Sequence, residues 1–146
     1  MPTRTARTAW NGSLETGEGQ VELTSSKLAT FDVSFPKRAA EEANGFTSPE
    51  ELLAAAHSAC YAMQFSAVLG AAGGTVEALD VKADVSLGAD PAGGFKLTGI
   101  HLTVRGEVTG IDEATFEKAA NDAKLGCPVS KALTGVEITL DAQLEK

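Results

Sequence analysis

Two residue types that can do covalent chemistry are scarce in this chain. Cys60 and Cys127 are its only cysteines, and His57 and His101 its only histidines. A cysteine attacks as its thiolate, so the question is what would ionise each sulfur. Cys127 stands directly before Pro128 at a helix start, where the positive end of the dipole and free amides favour an anion. Cys60 falls about three turns inside a helix, where the dipole helps little and burial raises the pKa. It can be the nucleophile only if something brings a cation to it. His57, three residues before Cys60, lies on the same helical face and could form a thiolate–imidazolium couple with it. The plain reading stands beside these: two small buried hydrophobes and a packed core histidine. One Cys and one His on a helix, with distant Cys127 and His101, match no recognised metal-ligand spacing. The residues alone leave the order of roles open.

The elements that must position these groups are legible. Thr5 to Trp10, Gln20 to Leu23 and Phe31 to Phe35 read as short strands, with Asn11-Gly12-Ser13 as a turn and Pro36 as a stop. Lys37 to Phe46 reads as a polar loop. Ser48-Pro49-Glu50-Glu51 is a strong helix start, with a capping serine, a proline in the first turn and two acids beside the dipole. That helix should run from Pro49 to about Leu69 and stop at Gly70. Leu52, Leu53, Ala56, Cys60, Met63 and Ala67 form an apolar face, and most other positions are small, which predicts a buried central helix. Val76 to Leu87 and Phe95 to Val108 pair as a hairpin across Gly93-Gly94. Asp112 to Lys124 is a second helix with Ile111, Phe116, Ala119, Ala120 and Ala123 inward. A short third helix starts at Gly126-Cys127-Pro128, and Val136 to Leu144 is a closing strand. Strands and helices segregate, so the class is α+β, in one domain spanning 1–146.

Composition narrows the function. The chain has 146 residues, 43% of them hydrophobic and 22% charged, with a formal charge of −8. An acidic surface repels phosphate backbones and anionic lipid, so neither nucleic acid nor membrane is an expected partner. No signal peptide is expected, because no apolar run follows Met1-Pro2-Thr3-Arg4. No segment is expected to reach the roughly 20 apolar residues of a membrane span, since the longest apolar stretch, Leu52 to Leu69, is interrupted by His57, Ser58, Gln64 and Ser66. A cytoplasmic location follows, and with it two cysteines held reduced rather than locked in a structural disulfide.

Two motifs carry a family resemblance. The run Thr47-Ser48-Pro49-Glu50-Glu51-Leu52-Leu53-Ala54-Ala55-Ala56-His57-Ser58-Ala59-Cys60 resembles the first signature of the OsmC/Ohr peroxidases, and Gly126-Cys127-Pro128-Val129-Ser130-Lys131-Ala132-Leu133 the second. Ala83 to Leu87, Gly110-Ile111-Asp112 and Glu137 to Asp141 are similar too, so the resemblance covers nearly the whole chain. The Ala-His before Cys60 and the Cys-Pro-Val-Ser at Cys127 are closer to the OsmC branch than to the Ohr branch. The resemblance implies an intertwined homodimer whose antiparallel sheets wrap two central helices. It implies reduction of organic hydroperoxides without flavin, heme or metal, so no cofactor is expected. It assigns Cys60 as the peroxidatic thiol and Cys127 as the resolving thiol. It places an Arg–Glu pair, Arg38 and Glu50, beside the reactive sulfur, and it suggests a lipoyl-type dithiol as reductant. It gives His57 no catalytic part.

Helix geometry bears on that assignment. Glu50 and Cys60 are ten residues apart on one predicted helix, roughly 15 Å along its axis. If both serve one site, Glu50 must come from a second subunit. Apolar residues near the thiol would favour alkyl or lipid hydroperoxides, with Phe35, Phe46, Met63 and Phe65 as candidate walls. Two rival readings remain at this point: a cysteine hydrolase or acyl transferase built on Cys60 and His57, and a dimeric ligand-binding or structural domain with inert thiols.

Overall fold

Alternation of apolar and polar residues builds the larger sheet. In the computed structural model, which describes residues 1–146, β4 (Thr75–Ala89) and β5 (Phe95–Thr109) pair antiparallel, with Val81 opposite Val104, Ala83 opposite Leu102 and Val85 opposite Ile100. β6 (Ile138–Glu145) lies on the other side of β5 and runs parallel to it, Leu140 beside Leu102. The parallel pairing follows from the connection, because the chain returns through α3 (Glu113–Gly126) and α4 (Pro128–Ala132) rather than a tight turn. Asp112 caps α3 by accepting from the Thr115 amide at 2.8 Å. The inward residues of α3 are those the spacing predicts: Phe116, Ala119, Ala120 and Ala123 are buried, with Ile111 packed at the margin.

The chain divides into two compact units, residues 1–52 and 53–146. The second contains that sheet, α3, α4 and all but the first turn of α2 (Pro49–Ala71). Its core joins Ile100, Leu102 and Val104 of β5 to Phe116 of α3 and to Tyr61, Phe65 and Leu69 of α2. Phe65 meets Tyr61 at 5.6 Å and Phe116 edge-on at 5.1 Å between ring centroids. Gly106 is required here, because a Cβ would fall 2.8 Å from the Phe116 ring.

The inner face of α2 differs from the expected one. His57, Tyr61, Phe65 and Leu69 are buried at a spacing of four, while Met63 is 73% exposed and Ala56 and Ala67 also face outward. The reason is that α2 is small or apolar on nearly every side, so aromatic bulk rather than hydrophobicity decides which face turns inward. The helix is also not buried all round. Its most apolar 18-residue window has a mean hydropathy of 1.3 with 22% of the window buried, long and apolar enough to cross a membrane by length and composition. That corrects the expectation that no segment reaches this limit.

The first unit is a three-stranded antiparallel sheet, β1 (Arg7–Asn11), β2 (Glu18–Glu22) and β3 (Thr30–Val33), in that order. Pro36 does not end a strand at Phe35. Ser34 instead caps a short α1 (Phe35–Arg38), accepting from the Lys37 amide at 3.3 Å, and Pro36 sits in its first turn. Val21 is the one buried large apolar residue of this unit, while Trp10, Leu14 and Leu28 stand exposed.

Candidate active site

Position, not local sequence, brings the two thiols together. Cys60 lies on α2, three residues past the buried His57. Cys127 occupies the corner between α3 and α4. It has extended backbone, its amide donates to the Ala123 carbonyl at 2.9 Å, and Pro128 opens the next helix. The two sulfurs approach to 3.3 Å, within reach of an S–H···S hydrogen bond, and both are free thiols. Cys127 is wholly buried and Cys60 only partly so.

Their surroundings push them in opposite directions. Burial raises the Cys60 thiol, and the neighbouring Cys127 sulfur adds to that, against a single opposing hydrogen bond from the Val129 amide. Burial also acts on Cys127, but donation from the Ser130 amide, the Cys60 thiol, the Ser130 hydroxyl and the Val129 amide outweighs it and lowers its pKa. Within residues 53–146, the more acidic thiol is therefore the less accessible one.

Arg38 and Glu50 form the second pair. Arg38 Nε donates to both carboxylate oxygens of Glu50 at 3.0 and 3.1 Å, and Nη2 donates to Oε1 at 2.6 Å. Glu50 is 8% exposed. A forked contact of this kind fixes the guanidinium plane. The pair belongs to residues 1–52, as does an adjoining cavity of about 270 Å³. Trp10, Leu14, Val33, Phe35 and Leu52 give that cavity an apolar wall, and Arg38 is its charged group.

Of the four candidate wall residues only Phe35 lines this cavity. Phe65 is core, Met63 points outward, and Phe46 lies under the Lys37 ammonium at 5.8 Å from its ring centroid. Trp10 ends the segment Thr5 to Trp10, read from sequence only as a strand, and Leu14 follows the Asn11-Gly12-Ser13 turn. The Cys60–His57 couple does not form. His57 Nε2 is instead 2.7 Å from Ser130 Oγ, with both side chains buried, and Nδ1 has no partner. Ser130 was not singled out by sequence. The available signal was its place three residues after Cys127, matching the place of His57 three residues before Cys60.

Residues 42–141 match the OsmC-like protein family. The chain belongs to the OsmC family. It is 44% identical over 136 residues to the peroxiredoxin OsmC of Escherichia coli (strain K12), which spans 93% of this chain and 92% of that protein. Among solved structures, the organic hydroperoxide resistance protein OsmC of Legionella pneumophila superposes with a TM-score of 0.77 at 30% identity, covering 98% of each chain. The organic hydroperoxide resistance protein OhrB of Bacillus subtilis gives 0.73 at 29% identity, covering 95% of this chain and 98% of its own. Both motifs that carry the resemblance, Thr47 to Cys60 and Gly126 to Leu133, fall wholly inside the matched OsmC segment.

Proposed function

We propose that this chain is a thiol peroxidase that reduces organic hydroperoxides to alcohols, with Cys60 as the attacking sulfur and Cys127 as the resolving one. The observation that carries it is the 3.3 Å approach of two free thiols of which only Cys60 is open to a substrate. The Cys60 thiolate attacks the terminal peroxide oxygen. The O–O bond breaks, the alkoxide takes a proton and leaves as the alcohol, and Cys60 becomes a sulfenic acid. Cys127 attacks that sulfur, water leaves, and a disulfide of roughly 2 Å forms after a small side-chain movement. An external dithiol, of the lipoyl type in this proposal, reduces it by exchange and restores both thiols.

Cys60 needs a cation, because its own surroundings raise its pKa. Arg38, held by Glu50, is the group suited to that task. Glu50 and Cys60 share α2 at ten residues' separation, about 15 Å, so the Arg38–Glu50 pair at a given Cys60 comes from a second copy of this chain. A homodimer is supported further by the outward side of α2, where Ala55, Ala56, Ala59, Met63 and Ala67 are exposed, and by the uncovered Trp10 and Leu14. The acidic charge disfavours an anionic lipid surface as the cover, and free thiols fit a reducing cytoplasm. The apolar cavity beside Arg38 suits an alkyl hydroperoxide better than hydrogen peroxide.

Mass measurement after one equivalent of cumene hydroperoxide tests the reading. Loss of two hydrogens, absent in Cys127→Ser, is expected. An unchanged mass with alkylatable thiols would mean inert cysteines.

A further inference from the structure

A buried pair that the proposed chemistry leaves unused faces the resolving sulfur. His57 and Ser130 are both sealed from solvent and 2.7 Å apart, although 73 residues separate them in sequence. Ser130 stands three residues after Cys127, one turn along α4, and its amide and hydroxyl both favour the Cys127 thiolate, holding that thiol's pKa down. The hydroxyl has one proton and two neighbours, so the tautomer of His57 decides where that proton points. His57 Nδ1 is buried without a partner. A buried N–H left unpaired is rarer and dearer than a bare lone pair, so Nδ1 carries the lone pair and Nε2 the proton. Nε2–H then donates to Ser130 Oγ, and the Ser130 O–H is left to donate to the Cys127 sulfur.

We infer that His57 is a positioning residue for disulfide closure, and that Ser130 is the catalytic donor it orients toward Cys127. This rests on the peroxidase reading for its place in the cycle. In that step the Cys127 sulfur gives up its proton and attacks the Cys60 sulfenic sulfur. The S–O bond breaks with its electron pair, and the departing hydroxide takes a proton to leave as water. Cys127 is oxidised and the Cys60 sulfur is reduced to the disulfide level, so no further reactant is needed. A hydroxyl whose proton is committed to sulfur favours the anion that attacks. Burial keeps His57 neutral, so it serves as a fixed donor rather than a second charge. The other groups that set the ionisation of Cys127 are the Cys60 thiol of α2 and the Val129 amide of α4, and the Tyr61 phenol of α2 also feels its charge.

The test titrates the ultraviolet absorbance of the Cys127 thiolate in a Cys60→Ser background, then follows closure by stopped flow in the two-cysteine protein. Ser130→Ala and His57→Leu should each move the midpoint up by about one pH unit, the scale of a hydrogen bond to a charged acceptor. Each should lower the ratio of closure rate to sulfenic acid formation roughly tenfold near neutral pH. Ser130→Thr restores the hydroxyl and His57→Gln restores a donor near the Nε2 position, so both should recover the parent midpoint. A midpoint unmoved in Ser130→Ala overturns the inference, as does a His57→Gln midpoint no lower than that of His57→Leu. The titration uses no peroxide. Absence of sulfenic acid from every variant would therefore refute the peroxidase reading while the midpoints still decide whether the His57–Ser130 chain acts on Cys127.

Discussion

In residues 53–146 the side chains of Phe65, Phe116, Leu102 and Val104 are sealed from solvent, and the two thiols hang from the helices that seal them. In residues 1–52 Val21 is the single buried large apolar side chain, Leu28 is 81% exposed, and yet the driest ion pair of the chain, Arg38–Glu50, belongs here. A segment of about 50 residues with so small a core is not expected to stand without added cover. The contrast teaches a division of labour. One region is complete as a body but, on the proposed reading, lacks the cation that Cys60 would need. The other holds the cation and an apolar cavity but lacks a body. A second copy of the chain would answer both deficits together.

The largest effect expected is a complementation. Cys60→Ser should lose all peroxide turnover, and Arg38→Met should lose about a hundredfold or more, the scale of one positioned charge. Mixed and reassembled, the two inactive proteins should recover about a quarter of wild-type activity, since half of randomly paired two-fold dimers carry one intact site of two. Turnover measured on the mixture checks this. If the mixture stays inactive while each variant is folded, the sharing of the site between copies is wrong.

How far the sequence could reveal this division depends on the kind of signal. The β4–β5 hairpin is legible to within a residue or two, because period-two alternation over a long strand is a strong pattern. The inner face of α2 is not, because alanine on every side removes the phase that periodicity needs. α1 is hidden for a different reason. Pro36 fits both the end of a strand and the first turn of a helix, and only the Ser34 cap tells them apart. The pairing of Cys60 with Cys127, and of Arg38 with Glu50, is tertiary; spacing along the chain says nothing of it, and the family resemblance alone suggested it. The His57–Ser130 contact lay outside both sources, since neither local pattern nor the resemblance marks Ser130 as a partner.

A smaller effect should come from the outward face of α2. Met63 is 73% exposed, and a charge at an exposed helical site ordinarily changes stability by about 0.5 kcal/mol or less. If a second copy covers this face, Met63→Lys should instead leave a folded monomer by light scattering, with peroxide turnover reduced at least about tenfold as the buried charge disfavours association. A Met63→Lys protein that remains dimeric and active would mean that the cover lies elsewhere.

The packing contrast itself can be measured by chemical unfolding. Phe116→Ala empties the centre of the larger core and should cost about 3–5 kcal/mol. Val21→Ala removes the one buried apolar side chain of the thin sheet and should cost about 1 kcal/mol. Similar losses at the two sites would show that residues 1–52 share a core of comparable depth, and the division of labour would lose its structural basis.

The smallest effect concerns proton linkage at His57, which sits in the well-packed region. Burial lowers its pKa from the ordinary 6.5. Below pH 6.5 the unfolded chain therefore binds a proton that the folded chain resists, so the stabilisation is fully present above that pH and is lost as the pH falls from 6.5 toward the folded-state value. The proton would have to settle on Nδ1, which is buried and has no partner to receive its hydrogen. His57→Gln removes the titrating group while keeping a side-chain donor toward Ser130. Its urea midpoint should consequently fall less between pH 7 and pH 5 than that of the parent, both limits lying within about two units of an ordinary histidine pKa. Parallel declines in the two proteins would mean that His57 takes up its proton in the folded state as readily as in the unfolded chain, which a sealed, half-partnered imidazole does not allow.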